Sequence, residues 1–243
     1  MTTQFRSRTE RPPARTEAEE LPPLHPGDHL DQPTFHRLYE AMPEDFKAEL
    51  IGGVVIMPYP ATMEHSGGHS SVSGWLFTYE AATPGTRSLS EPTVILGPRS
   101  EPQPDGVLVI EPESGGQIRI VGSFLTGPPE LVVEVAYTSY AQDLNSKKRD
   151  YEAAGVREYV VVLIRQQRVE WFALREGKFE PHPPGPDGIL RSEIFPGLWL
   201  DPSALAARDV ARVLLVLQQG LATPEHAAFV QQLQQRRGPS PPG

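Results

Sequence analysis

The 243-residue chain contains no cysteine. That excludes disulfide bridges, thiolate zinc sites and cysteine nucleophiles, and leaves carboxylates, histidines and lysines to carry any chemistry. No apolar run approaches the ~18 residues that a membrane-spanning helix needs, so no membrane association is expected. Residues 1–20 mix four arginines with four glutamates and lack the apolar stretch of a secretory signal, which points to a cytoplasmic protein. Positive charge is also short: 22 Lys and Arg face 31 Asp and Glu, for a net charge of −9. Such a chain is poorly suited to coat nucleic acid without specificity. It remains suited to phosphate chemistry wherever a bound cation supplies the missing positive charge. No G-x-x-x-x-G-K-[ST] loop and no G-x-S-x-G elbow occur, which argues against a nucleotide triphosphatase and a serine hydrolase. There is no internal repeat.

What is present suggests one α/β domain between two tails. Residues 1–27, with five prolines among scattered charges, and residues 238–243, GPSPPG, have too few apolar groups to offset the entropy of ordering and read as flexible tails. The domain proper is expected over 28–202, followed by C-terminal helices over 203–237. Within it, 34–41 reads as a short helix, 49–57 (ELIGGVVIM) as one strand, and 68–82 as a helix with Val72, Trp75, Leu76 and Tyr79 on its core face. Strands follow at 93–96 and 105–110, then a Gly- and Pro-rich loop over 113–129. Residues 130–136 (ELVVEVA) have the near-continuous apolar character of a buried central strand. A helix over 143–154 is stopped by Gly155, 158–164 is a second buried strand, and a hairpin over 169–180 turns at Glu176-Gly177. Two amphipathic helices, 203–219 and 224–235, close the domain.

The chemistry-bearing residues gather around that central strand. Glu134 is a carboxylate in an apolar strand, which is costly to bury unless it meets a cation. Asp105 heads the preceding strand, so suitable register brings the two carboxylates together as oxygen ligands for Mg²⁺ or Mn²⁺. Asp143, Lys147 and Tyr151 share one helix face, from which Lys147 can point back at the site. Each has a plainer reading: Asp105 as a turn residue after Pro104, Lys147 as a surface partner of Asp143 with Lys148 competing for its role, Tyr151 as packing, and Glu49 as a residue that flanks a hairpin. His65 and His69 have the i, i+4 spacing of zinc ligands, but the H-S-G-G-H segment lacks the glutamate of a metalloprotease motif.

Taken in order, ELIGG (49–53), His69, PQPD (102–105), PELVVEVA (129–136), the D-x-x-x-K-x-x-x-Y of 143–151 and GVREY (155–159) resemble the Uma2 family. That family is similar to restriction endonucleases within the PD-(D/E)XK nuclease superfamily, and the resemblance covers roughly residues 30–205. It implies a restriction-endonuclease-like core, a mixed central sheet flanked by helices, with the C-terminal helical pair appended. It also implies a Mg²⁺- or Mn²⁺-dependent DNA endonuclease in which Asp105, Glu134 and the Val135 carbonyl hold the metal. Lys147 is then the active-site lysine, taking from the helix a role that most of the superfamily gives to the strand position occupied here by Ala136. Glu49 and His69 are supporting residues. The superfamily further implies a homodimer, with the C-terminal helices as its candidate surface. The same framework allows action on RNA or another phosphodiester, or a catalytically idle binding module. Two departures from the family pattern stand out: AYTSY follows Glu134 in place of a Ser-Pro-Ser turn, and Gly52 replaces an acid. With Asp105 and Lys147 expected at the edge of the core, alanine at either is expected to abolish cleavage and spare the fold.

Overall fold

The computed structural model describes residues 22–43, 45–58, 62–137 and 143–237. The tail expected over 238–243, most of that over 1–27, and residues 138–142 after Glu134 lie outside them. Residues 22–27 belong to the packed chain rather than to a tail: Leu24 is buried and the Gly27 N–H donates to the Val55 carbonyl.

A six-stranded mixed sheet organises the molecule. Its strands are β3 (Thr86–Ser90), β5 (Gly106–Ile110), β8 (Leu131–Ala136), β9 (Glu158–Leu163), β10 (Arg168–Arg175) and β11 (Lys178–Pro181), in the spatial order β11-β10-β9-β8-β5-β3. Every pairing is antiparallel except β8 with β9. Parallel neighbours need a crossover, supplied here by a π-helical turn, Asp143–Lys147, that runs into α3 (Lys148–Ala154). Both central strands are buried along their whole length, as their apolar sequences require.

Side chains alternate between the two faces. Val133 and Val135 pack with Val72, Trp75, Leu76 and Tyr79 of α2 (Met63–Ala82) and with the C-terminal helices. Val132 and Ala136 face the other side, with Tyr151 of α3 and Tyr159 of β9, and Glu134 lies between them on that face. A third cluster joins α1 (Gln32–Glu40) to a small hairpin, β1 (Glu49–Ile51) and β2 (Val54–Ile56). Leu50 of β1 exchanges backbone hydrogen bonds with Glu101, so the hairpin is tied to the chain entering β5.

Four sequence expectations are revised. The single strand over 49–57 is this hairpin, turned at Gly52 and Gly53, whose φ values of +61° and +83° only glycine adopts at little cost. α2 starts at Met63, five residues before the expected start, because Thr62 caps it by accepting from the His65 N–H. The presumed loop at 113–129 contains a short 3₁₀ turn and a second hairpin, β6 (Arg119–Val121) and β7 (Phe124–Thr126), the latter beside β4 (Val94–Ile95). The helix expected over 203–219 is broken into α4 (Pro202–Ala206) and α5 (Val210–Leu221), with α6 (Pro224–Arg237) following. At the break, the Asp209 N–H donates to the Ala204 carbonyl and the Arg208 N–H to the Leu205 carbonyl, a Schellman closure. Its left-handed position, φ +58°, holds Arg208 where glycine is usual, at a cost of about 1 kcal/mol. Val213, Val216 and Leu217 of α5 and Phe229 and Leu233 of α6 enter the main cores, so the apolar faces of these helices are used within the chain.

Candidate active site

The site lies where β8 ends and β5 begins. Gly106 opposes Val133 and Val107 opposes Val132, so the same register sets Asp105 across from Glu134. The Val135 N–H donates to Asp105 Oδ2 at 2.7 Å. In an extended strand a residue's N–H and C=O leave on the same edge, so the Val135 carbonyl leaves toward Asp105 as well.

Lys147 and Tyr151, one helical turn apart, both reach Glu134. Lys147 Nζ donates to Glu134 Oε1 at 3.0 Å and lies 2.9 Å from Glu49 Oε1. The Tyr151 hydroxyl donates to the same Glu134 oxygen at 2.8 Å. Glu49 Oε1 also accepts the Gln103 N–H at 2.7 Å, which fixes the PQPD segment against β1. Glu49, Asp105, Glu134 and Lys147 are therefore brought together from four separate elements. Lys147 differs from expectation in one respect: it is buried, not at the core edge. The reason is its pairing with Glu134 and Glu49, which compensates the burial of its charge.

Negative charge dominates this centre. Burial pushes the Glu134 carboxyl well above the ordinary range; Lys147 opposes the shift, and Asp143, Asp105 and Glu49 add to it. Burial works against the charge on Lys147, but Glu134, Glu49 and Asp143 outweigh it and hold its ammonium well above the usual lysine range. Tyr151 is raised too, by burial first and then by Glu134. Four acids, Glu49, Asp105, Glu134 and Asp143, gathered around the Lys147 ammonium carry an excess of negative charge that a divalent cation would relieve. Their donors are oxygens, the set that suits Mg²⁺ or Mn²⁺.

Both histidines of H-S-G-G-H meet Asp105. His69 Nε2 lies 2.8 Å from the Asp105 carbonyl, which only accepts, so Nε2 carries the proton. His65 Nε2 lies 3.6 Å from Asp105 Oδ1. His69, Glu91 and Asp105 each offer a ligand atom within 4.8 Å of the others, a second donor set that shares Asp105 with the first. The Lys47 hydrogen bond holds the Glu91 carboxyl below its ordinary value. The sequence carried no signal for Glu91, an exposed acid after the edge strand β3; Tyr151 was visible on the Lys147 face, but its plainer reading was packing and it bonds Glu134 instead. For His65 the i, i+4 spacing was visible, but the partner it implied was a zinc ion rather than Asp105.

The two departures have structural counterparts. The Gly52 N–H donates to Asp150 Oδ2 at 2.7 Å, so an acid from α3 meets the turn at Gly52. Tyr137 is half-buried with the Arg165 guanidinium 5.5 Å from its ring centre; the residues after it lie outside the described ones.

Over residues 32–203 the sequence matches the Uma2 family, described as "Putative restriction endonuclease". No curated protein matches the chain. Among solved structures, a putative nuclease belonging to DUF820 from Anabaena variabilis is similar, with a TM-score of 0.55 and 15% identity, covering 70% of this chain and 97% of that one. At that identity the likeness concerns the fold alone. The family match spans the sheet, α2 and every residue of the acidic centre, and the chain belongs to the Uma2 family of putative restriction endonucleases.

Proposed function

We propose that the protein is a divalent-metal-dependent DNA endonuclease. The observation that carries this reading is the Lys147 ammonium shared by Glu134 and Glu49, beside Asp105 in opposing register, in a chain of a nuclease family. Asp105, Glu134 and the Val135 carbonyl would hold the cation. When bound, it supplies Lewis-acid polarisation of a phosphate oxygen and acidification of a water.

The chain's own residues do the rest. Lys147 has three donors and a charge that its acidic neighbours keep, so it orients a water for in-line attack and offsets charge growing on the phosphate. Glu49 and Tyr151 act as positioning residues, the first on Lys147 and the second on Glu134. His69 fixes the backbone at Asp105. No covalent intermediate is required.

The test is cleavage of plasmid, single-stranded and branched DNA in Mn²⁺ by wild type and Asp105→Asn, with a chelator control. Asparagine keeps an oxygen acceptor for the Val135 N–H and removes the charge, so the fold survives. Cleavage that disappears in the variant and in chelator supports the reading. Cleavage that persists in Asp105→Asn overturns the role of that residue, and wild type inert on all substrates overturns the reading for DNA.

A further inference from the structure

We propose that Arg208 and Arg165 form a seat for DNA backbone phosphates beside the acidic centre. This rests on the nuclease reading and names the part of the chain that grips the substrate. Net charge of −9 and a carboxylate centre repel a polyanion, so binding needs cations mounted close to that centre.

The crossing of α2 over β8 locates them. A Cβ on Gly68 would lie 2.7 Å from Ile164 Cδ1 and 2.9 Å from Val135 Cγ1, so α2 touches β8 at the residue after Glu134. Arg165 directly follows Ile164 and is exposed, with its guanidinium over the ring of Tyr137 at the exit of β8. On the other side of Gly68, Gly67 lies beneath the Arg208 guanidinium, and a Cβ there would collide with it. The two arginines thus flank the crossing of α2 over β8 at Val135, on the sheet face opposite Glu134, and the same stretch of α2 reaches Asp105 through His65 and His69.

Neither has a carboxylate within ion-pair reach among the described residues, whereas Arg87, Arg175, Arg191 and Arg212 each do. Arg208 is also where the fold asks for something else. It occupies the left-handed position of the Schellman closure between α4 and α5, where glycine is the ordinary residue, and its side chain meets a glycine rather than an acid. A residue kept in a disfavoured conformation with no internal partner for its charge points to an external anion.

The experiment measures binding of a labelled DNA duplex and single strand in chelator, across a salt series, for wild type, Arg208→Gly, Arg208→Lys and Arg165→Gln. Arg236→Ala, beside Gly115 past the far end of β5, serves as the charge control. Arg208→Gly is expected to melt at or above the wild-type temperature, because glycine suits φ +58°. Its DNA affinity is expected to fall roughly tenfold, and the slope of log K against log salt by about one. Arg165→Gln behaves likewise, Arg208→Lys recovers the slope, and Arg236→Ala matches wild type. Unchanged affinity and slope in Arg208→Gly and Arg165→Gln overturn the proposal, as does an equal loss in Arg236→Ala or a wild type that binds no DNA. Wild type that binds through these arginines but does not cleave in Mn²⁺ leaves the seat standing and removes the nuclease reading instead.

Discussion

Replacing Lys147 with methionine removes one ammonium and leaves two carboxylates, Glu134 and Glu49, without the partner that each contacts at about 3 Å. Methionine fills a similar volume, so the cost is electrostatic and not a cavity. Breaking a buried pair by deleting one partner costs about 3–5 kcal/mol, because the remaining charge is stranded in low dielectric. Against a total stability of roughly 5–15 kcal/mol, that is a large share, and in a chain of this size it lowers the melting temperature by about 6–20 °C. Urea unfolding in chelator measures it, with Glu134→Gln and the double variant closing a thermodynamic cycle. The double variant is expected to recover about 1–3 kcal/mol of the loss, since the stranded charge is gone. A single-variant cost below about 1 kcal/mol would refute the buried pairing. The same arithmetic governs any cleavage assay of Lys147 variants, whose loss of activity must be separated from loss of fold.

Glu158, the first residue of β9, accepts from the Ser192 hydroxyl and the Glu193 N–H, yet burial raises its carboxyl to about 7. The folded state then holds a proton that the unfolded chain releases above 4.5, so this contribution is full below pH 4.5 and lost as pH rises through 7. The loss amounts to about 3 kcal/mol by pH 8. Glu158→Gln, which mimics the protonated form, is expected to match wild type near pH 4.5 and exceed its stability at pH 8, in urea titrations at both values; parallel pH profiles would contradict this. Gly68→Ala inserts a methyl group against Ile164 and Val135 and is expected to cost about 1–3 kcal/mol. Because the strain falls on the residue after Glu134, DNA cleavage should drop along with the melting temperature; a variant that is stable and fully active would show that the contact is slack.

The residues that sequence reading located best are those whose pattern is local. The stripe of α2, the apolar run of β8 with its one glutamate, and the i, i+4 step from Lys147 to Tyr151 all report a period that folding preserves. Features set by distant partners stayed hidden. β3 reads TRSLS, a short, largely polar segment that only its pairing with β5 makes a strand. The turn at Gly52-Gly53 sat inside a β-branched run and read as a continuation of it. Glu91 joins His69 and Asp105 across 22 and 14 residues of chain, with no spacing to betray it. The burial of Lys147 follows from Glu49, 98 residues earlier, which no helical pattern encodes.

Glu49, His69, Asp105, Glu134 and Lys147 come from stretches of chain that no short fragment contains. During synthesis the carboxylates emerge one at a time, and the lysine that neutralises them arrives after the last. In the folded chain the helix that follows the lysine lies against one face of the β8–β9 pair, and the C-terminal helices cover the other. A nascent or truncated polypeptide therefore carries the separate acids but no assembled centre. Severing the chain at the β6–β7 turn, beside exposed Gly122, would part Glu49, His69 and Asp105 from Glu134 and Lys147. Neither piece would hold the whole centre, because the centre is a property of the closed sheet and of neither half.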